Sequence, residues 1–399
     1  MSDPPGRPLD DHVAWSEIEP SRRILTAERV TLLAGFALVV ALILYDTYVA
    51  HVYLVGTWNV RPVDWMLLFG LVVLLAYGAI PAARDRRSTR RLIASLTSRR
   101  IYAAGAVFLG VTFVAGAIGP YVFGQPYLRF HHAFHAPIGF TTRTGWTGEC
   151  LGAISHGEGV TRYCHGSLTY PLGTNDRGHG LGHLLVLGAR VSLYIVVFTL
   201  AFVFPLAAAV GVVAGLRGGR LDDLLMTYVD VQLCVPAIMV YFVGYMYWGP
   251  ALWLLLATFG LLSWGGIARL VRSETLQRRE EGYVLVARSL GAPELYVARR
   301  HVLPNITNTL MPALFQLLAL LILVEAGIAF LGFHHVELYS WGSIIAEGLD
   351  ARGGQKFRMH AHQVWWISTF PAIALMLTLT SLKLVGDALR DALDPRGGR

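Results

Sequence analysis

The sequence predicts an all-α, polytopic membrane protein with about eight transmembrane helices. Three observations carry that prediction. Hydrophobic residues make up 54% of the 399-residue chain and charged residues 15%, with a mean hydropathy of +0.51, a balance foreign to soluble multidomain proteins. Apolar runs of roughly 18–25 residues recur along the chain, each long enough to cross a hydrocarbon core. Arginine clusters beside these runs, so the positive-inside bias accounts for the formal charge of +7 without a nucleic-acid partner.

Residues 1–29 are polar, with prolines and mixed charge, and are expected to form a cytosolic tail that is at least partly flexible. They lack the basic start, apolar core and small-residue cleavage site of a secretory signal. Residues 30–100 hold two expected spans, about Val30–Ala50 and Val63–Ile80, with Trp58 and Trp65 as interfacial aromatics. The arginine-dense segment Pro81–Arg100 follows, with the single acid Asp85, and marks the cytoplasmic side. Residues 101–119 form the third span.

Residues 120–183 are expected outside the membrane as a loop or lobe, and their side-chain chemistry changes. His131, His132, His135, His156, His165, His179 and His183 gather here with Cys150 and Cys164. Two cysteines in one outer loop are most simply a disulfide. Imidazoles invite a nickel or zinc site, but the spacing fits no tight ligand template. Pro137 and nearby glycines also oppose the helix that would align His131 with His135. The expectation is therefore solvated or hydrogen-bonded histidines and no metal. Cys234 falls in a span and is expected to be inert packing.

Residues 184–386 carry the other spans, about Val191–Leu216, Val231–Trp248, Ala251–Ala268, Thr307–Phe333 and Val364–Val385. Arg217-Gly218-Gly219-Arg220 is a basic inner turn and His334–His362 a second outer loop. Glu325 is an acid deep in an apolar run, which marks either a pathway-lining residue or a buried structural one. Between the spans, residues 273–305 form a long polar segment. Tyr283, Ala287 and Gly291 recur at four-residue spacing and share a helix face with Val284 and Leu290 beside them. Arg278, Arg279, Glu280, Glu281 and Arg288 fall largely on the other sides. Gly291-Ala292-Pro293 breaks this helix, and a second runs from Glu294 to His301 before Leu303-Pro304 stops it. A small-residue face with an arginine rim suits docking into a groove on a soluble partner.

Tyr283-Val284-x-x-Ala287-Arg288-x-Leu290-Gly291-Ala292, followed by His301-x-Leu303-Pro304-Asn305, resembles the cytoplasmic coupling loop of ABC importer permeases. Gly291 and Leu303-Pro304 stand at the family spacing. The family's Glu-Ala-Ala is degraded to Leu285-Val286-Ala287, and His301 replaces an aliphatic residue. A second stretch, from Gly173-Thr174 to Gly188-Ala189-Arg190-Val191-Ser192-Leu193, resembles a signature of the dipeptide/oligopeptide/nickel branch. It departs at Asn175, where the branch has an acid, and at His179-Gly180. Glu325-Ala326-Gly327 through Gly332, with Ser340-Trp341-Gly342 and Glu347-Gly348, resembles a third signature. The ending, residues 387–399, resembles the branch's cytosolic tail through Asp387, Asp394 and Pro395.

That resemblance implies a six-helix permease core beginning at residue 101, with the two earlier spans an addition it does not explain. It implies a cell-membrane complex with cytosolic termini. The partners would be a second homologous permease, two ATP-binding subunits and an extracytoplasmic solute-binding protein. The solute would be a di- or oligopeptide, or alternatively nickel or another metal complex. Gly291 and Ala287 would allow close approach to the ATP-binding subunit, and Arg288 would orient the loop or pair with an acid there. The chain has no G-x-x-x-x-G-K-[ST] phosphate loop, so ATP and Mg are expected on partner subunits, with no catalytic residue or cofactor in this chain. An ion-gradient-driven secondary transporter would show repeats with interrupted spans in corresponding places. A membrane metalloenzyme would group histidines or carboxylates within spans. The sequence shows neither pattern.

Overall fold

The computed structural model describes residues 26–50, 60–124, 126–157, 161–333, 338–349, 352–353, 357–358 and 360–393. Trp58, Asp394 and Pro395 lie outside them, as do residues 1–25 of the expected N-terminal tail. In chain order the helices are α1 (Ala27–Val49), α2 (Pro62–Arg84), α3 (Arg86–Ser98), α4 (Arg100–Phe123), α5 (Leu181–Arg217), α6 (Gly219–Cys234), α7 (Ala237–Trp248), α8 (Leu252–Arg279), α9 (Gly282–Ser289), α10 (Glu294–Phe330), α11 (Trp341–Leu349) and α12 (Trp366–Leu393). Seven of these are long and apolar enough to cross a membrane, and the pair α6–α7, bent by 69°, makes up to eight crossings.

The structure departs from the sequence expectation at three spans. Helix α5 starts at Leu181 rather than near Val191, because Leu181, Leu184 and Leu187 are buried and the charge of Arg190 is neutralised within the bundle. The span expected at Val231–Trp248 is broken: Pro236 cannot donate the hydrogen bond that would continue α6, and α7 begins after it. Helix α10 does not stop at Leu303-Pro304. A π-helical turn at Ala298–Val302 precedes Pro304, which sits in the first turn of the following segment, where its missing N–H does least harm. Cys234, expected as inert packing within a span, is exposed on the surface of the chain beside the α6–α7 break.

Helices α5 and α10 are each 37 residues long. At 1.5 Å per residue they reach about 55 Å, beyond a hydrocarbon core of about 30 Å. Their surplus gathers at one end of the bundle, where α5 finishes and α10 begins. Two glycines let α5 and α8 meet there: a Cβ on Gly211 would stand 2.6 Å from Val271 Cβ, and one on Gly215 2.7 Å from Thr275 Cβ. The main apolar core runs through Ile195, Leu256, Ile306 and Leu318. A smaller cluster around Phe134, Leu184, Trp341 and Trp366 lies at the opposite end.

That opposite end carries a lobe between α4 and α5. Strands β1 (Thr141–Arg143), β2 (Ile154–His156) and β3 (Arg162–His165) form an antiparallel sheet in the order β1-β3-β2. Thr142 and Ile154 both pair with Cys164, and the expected disulfide joins Cys164 to Cys150. Strands β4 (Arg352–Gly353) and β5 (Phe357–Arg358) pair between α11 and α12.

Candidate functional site

At the end of the bundle away from the lobe, α9 and the first turns of α10 form a projecting joint. Gly291 makes the turn between them with φ of 82°, a conformation any side chain would strain. The inward face of α9 is Val284 and Ala287, exposed by only 0% and 7%, in the company of Val297 and Val302. This corrects the sequence reading, which turned Ala287 toward a partner: its methyl belongs to the protein's own core. The outward face is Tyr283, Leu285, Val286, Leu290 and Leu295, all exposed.

The arginine rim anchors this joint to the end of α5. Arg279 Nη1 donates to the Gly215 carbonyl at 3.0 Å, and Arg288 Nη2 donates to the Leu216 carbonyl at 3.4 Å. Cations are favoured at these last carbonyls of a helix, which lack intrahelical donors. Arg217 pairs with Glu294 at 2.8 Å. Of the two roles left open for Arg288, the geometry fits loop orientation. Asn305 Nδ2 donates to the Tyr283 hydroxyl at 3.3 Å, and His301 lies between Tyr283 and Tyr296 with ring centroids 5.9 and 5.7 Å away. Its aromatic setting accounts for the departure from an aliphatic residue. Leu303 and Pro304 continue straight into α10.

At the lobe end, the second and third signatures converge. Thr174 is buried, accepts from the His135 N–H at 2.9 Å and donates to the His132 carbonyl at 2.7 Å. Trp366 Nε1 donates to the Thr174 carbonyl at 3.1 Å, and Gly173 lies against the same indole. Trp341 Nε1 donates to the Leu185 carbonyl at 3.0 Å, and its ring fills the space where a Cβ on Gly188 would be. Gly342 faces the Ala326 carbonyl just as closely, so these positions are packing joints between α5, α10 and α11. Glu325 is buried and lines a cavity of about 20 Å³ with Val191, Tyr241 and Phe333. Gly332 turns the chain at the end of α10. Asp387 sits on α12 one residue before Ala388, whose carbonyl accepts from Ser95 of α3 at 2.6 Å.

Asn175 explains its own departure from the acid of the signature. Its Oδ1 accepts from the N–H groups of Arg177 and His179 at 3.1 and 2.8 Å, which turns Nδ2 to donate to Glu347 at 3.1 Å. An acid here would set two carboxylates against each other. Burial pushes the Glu347 and Asp176 carboxyls above the usual range. Burial, with Arg177 and His183 beside it, lowers His179 to about 4.

The residue that sequence reasoning missed is Asp64, in the first turn of α2. Its carboxylate receives Arg190 Nη2 at 3.0 Å, the Tyr194 hydroxyl and the Arg61 N–H at 2.9 Å. The Asp64 and Arg190 side chains are only 5% and 14% exposed. The Arg190 guanidinium also lies 5.2 Å from the centre of the Tyr121 ring on α4. Helix α2 is therefore fixed to α5 through Arg190. An acid opening an apolar span was the available signal.

A bundle of apolar helices long enough to cross a bilayer defines a multi-pass membrane protein. Residues 207–398 match the family described as binding-protein-dependent transport system inner membrane component. A Brucella suis biovar 1 (strain 1330) protein named as a peptide transport system permease is 35% identical over 230 residues, covering 57% of this chain and 74% of that one. The dipeptide transport system permease protein DppC of Bacillus subtilis (strain 168) is 30% identical over 225 residues, 56% of this chain and 68% of its own. OppC of the same strain, an oligopeptide permease, is 29% identical over 225 residues, 56% and 71%. The chain belongs to this family of inner-membrane permeases.

Proposed function

We propose that this chain is the permease subunit of an ATP-driven, binding-protein-dependent importer of di- or oligopeptides. The observation that carries the proposal is the α9–α10 joint, apolar on its outward face yet tied through Arg279, Arg288 and Arg217–Glu294 to the end of α5. A pair of separate ATP-binding subunits, holding ATP and Mg, grips Tyr283, Leu285, Val286 and Leu290. Their closure moves the joint, and the 37-residue helices α5 and α10 carry that movement through the membrane as levers. A second, homologous permease completes the pathway, which alternates between outward and inward access. A solute-binding protein delivers peptide at the lobe end, and both termini lie in the cytosol. The peptide class rests on the named relatives.

The test is Gly291→Arg in the reconstituted complex with its binding protein. A side chain at this φ costs about 1–2 kcal/mol and re-aims the joint. Membrane insertion should persist while ATP-dependent uptake is lost; normal uptake would refute the coupling role.

A further inference from the structure

The sequence offers no tight metal-ligand spacing, yet the lobe brings together His131, His132 and Glu149, each presenting one ligand atom within 4.8 Å of the others. We infer that these three side chains form a binding site for one divalent transition cation of borderline softness, of the zinc and nickel class.

The geometry argues this in three ways. First, His132 Nε2 and Glu149 Oε2 stand 3.9 Å apart, too far for a hydrogen bond. Metal–nitrogen and metal–oxygen bonds of about 2.0–2.2 Å in tetrahedral array place ligand atoms roughly 3.4 Å from one another. A small rotation of the exposed His131 and Glu149 side chains closes the remaining gap.

Second, the His132 ring is oriented from behind. Its Nδ1 lies 3.0 Å from the Tyr170 hydroxyl. With Nδ1 protonated and donating to that oxygen, the Nε2 lone pair faces Glu149. Such a partner on the other ring nitrogen is what metal-ligating imidazoles ordinarily have. Arg129 Nη1 also donates to this hydroxyl at 3.3 Å, which is compatible because the phenol oxygen has two lone pairs.

Third, the two ligand segments are held together by backbone. The Glu149 N–H donates to the His131 carbonyl at 2.8 Å, and His135 Nε2 lies 2.7 Å from the Glu149 carbonyl. Cys150, next in the chain, is disulfide-bonded to Cys164 of β3. The backbone positions of the ligand residues are thus fixed before any ion arrives.

Two imidazoles and one carboxylate favour zinc, nickel or copper over magnesium or calcium, which take all-oxygen shells. Three protein ligands leave a fourth position for water or for a group from a protein docking on the lobe. The disulfide, with the backbone bonds, makes the site a rigid part of the lobe.

Calorimetric titration of the full-length, tag-free chain in detergent with zinc chloride, and separately nickel chloride, tests the inference. One ion should bind per chain with saturation, and magnesium should not compete. His131→Ala with Glu149→Gln, both exposed, should abolish binding while leaving the Cys150–Cys164 bond formed. Tyr170→Phe should weaken affinity about 10–100-fold. His360 and His362, whose rings stack 5.5 Å apart, are the rival pair, and His360→Ala with His362→Ala should change nothing. The inference is overturned if the wild type shows no saturable binding, if the His131/Glu149 double variant binds as the wild type does, or if binding disappears with His360 and His362 instead.

Discussion

Asp64→Ala removes the acceptor that holds Arg190, and the expected cost follows from the burial of the pair. The two side chains are 5% and 14% exposed, and after the change the guanidinium keeps neutral partners, the hydroxyls and ring faces of Tyr194 and Tyr121. Stripping one partner from a buried pair costs about 3–5 kcal/mol, mostly the penalty of the stranded charge. Asp64→Leu combined with Arg190→Met strands no charge, although the Tyr194 hydroxyl and the Arg61 N–H lose this acceptor, and should return to within about 2 kcal/mol of the wild type. Denaturation of the detergent-solubilised chain, run as a double-mutant cycle, measures both. A coupling energy above about 2 kcal/mol is expected for groups in direct contact. If Asp64→Ala costs under about 0.5 kcal/mol, as an ordinary surface change does, or the single effects simply add, α2 is not docked through this pair.

Two further predictions concern the lobe end. Asn175→Asp should destabilise residues 173–180 by about 1–3 kcal/mol at neutral pH, read as faster hydrogen exchange, and the loss should shrink as acid protonates the new pair with Glu347; a pH-independent effect would contradict the electrostatic cause. His179, with a pKa lowered from 6.5 to about 4, stabilises the fold fully above pH 6.5 and loses that contribution as the pH falls toward 4. The loss is at most about 3 kcal/mol, at 1.36 kcal/mol per pH unit. His179→Gln should abolish this part of the acid sensitivity, and an unchanged profile would count against it.

The spans that hydropathy could show were the uniformly apolar ones. Residues 219–230 of α6 were hidden because Asp222, Asp223 and Asp230 interrupt the apolar run before Val231. In the fold, Arg272 holds Asp222 through two hydrogen bonds of 2.5 and 2.6 Å, and Arg269 pairs with Asp230, partners 50 and 39 residues distant in the chain. The start of α5 was masked in the same way by Arg190, whose counter-charge lies 126 residues earlier. The residues of the α9–α10 joint were legible as a set, since Gly291 and Leu303-Pro304 punctuate it. Their facing was not: the four-residue period puts Tyr283 and Ala287 on one side, whereas the fold buries Ala287 and leaves Tyr283 exposed at the edge of that face. Nor could spacing bring Glu149 to His131 and His132, which the backbone of the lobe does.

The most direct measurement of the central idea is site-specific crosslinking in the purified complex. Leu290→Cys, in a chain with Cys234→Ser, should react with cysteines lining a groove of an ATP-binding subunit, while Ala287→Cys stays shielded within its own chain. A Leu290 adduct to the extracytoplasmic binding protein, or none to any ATP-binding subunit, would contradict the account.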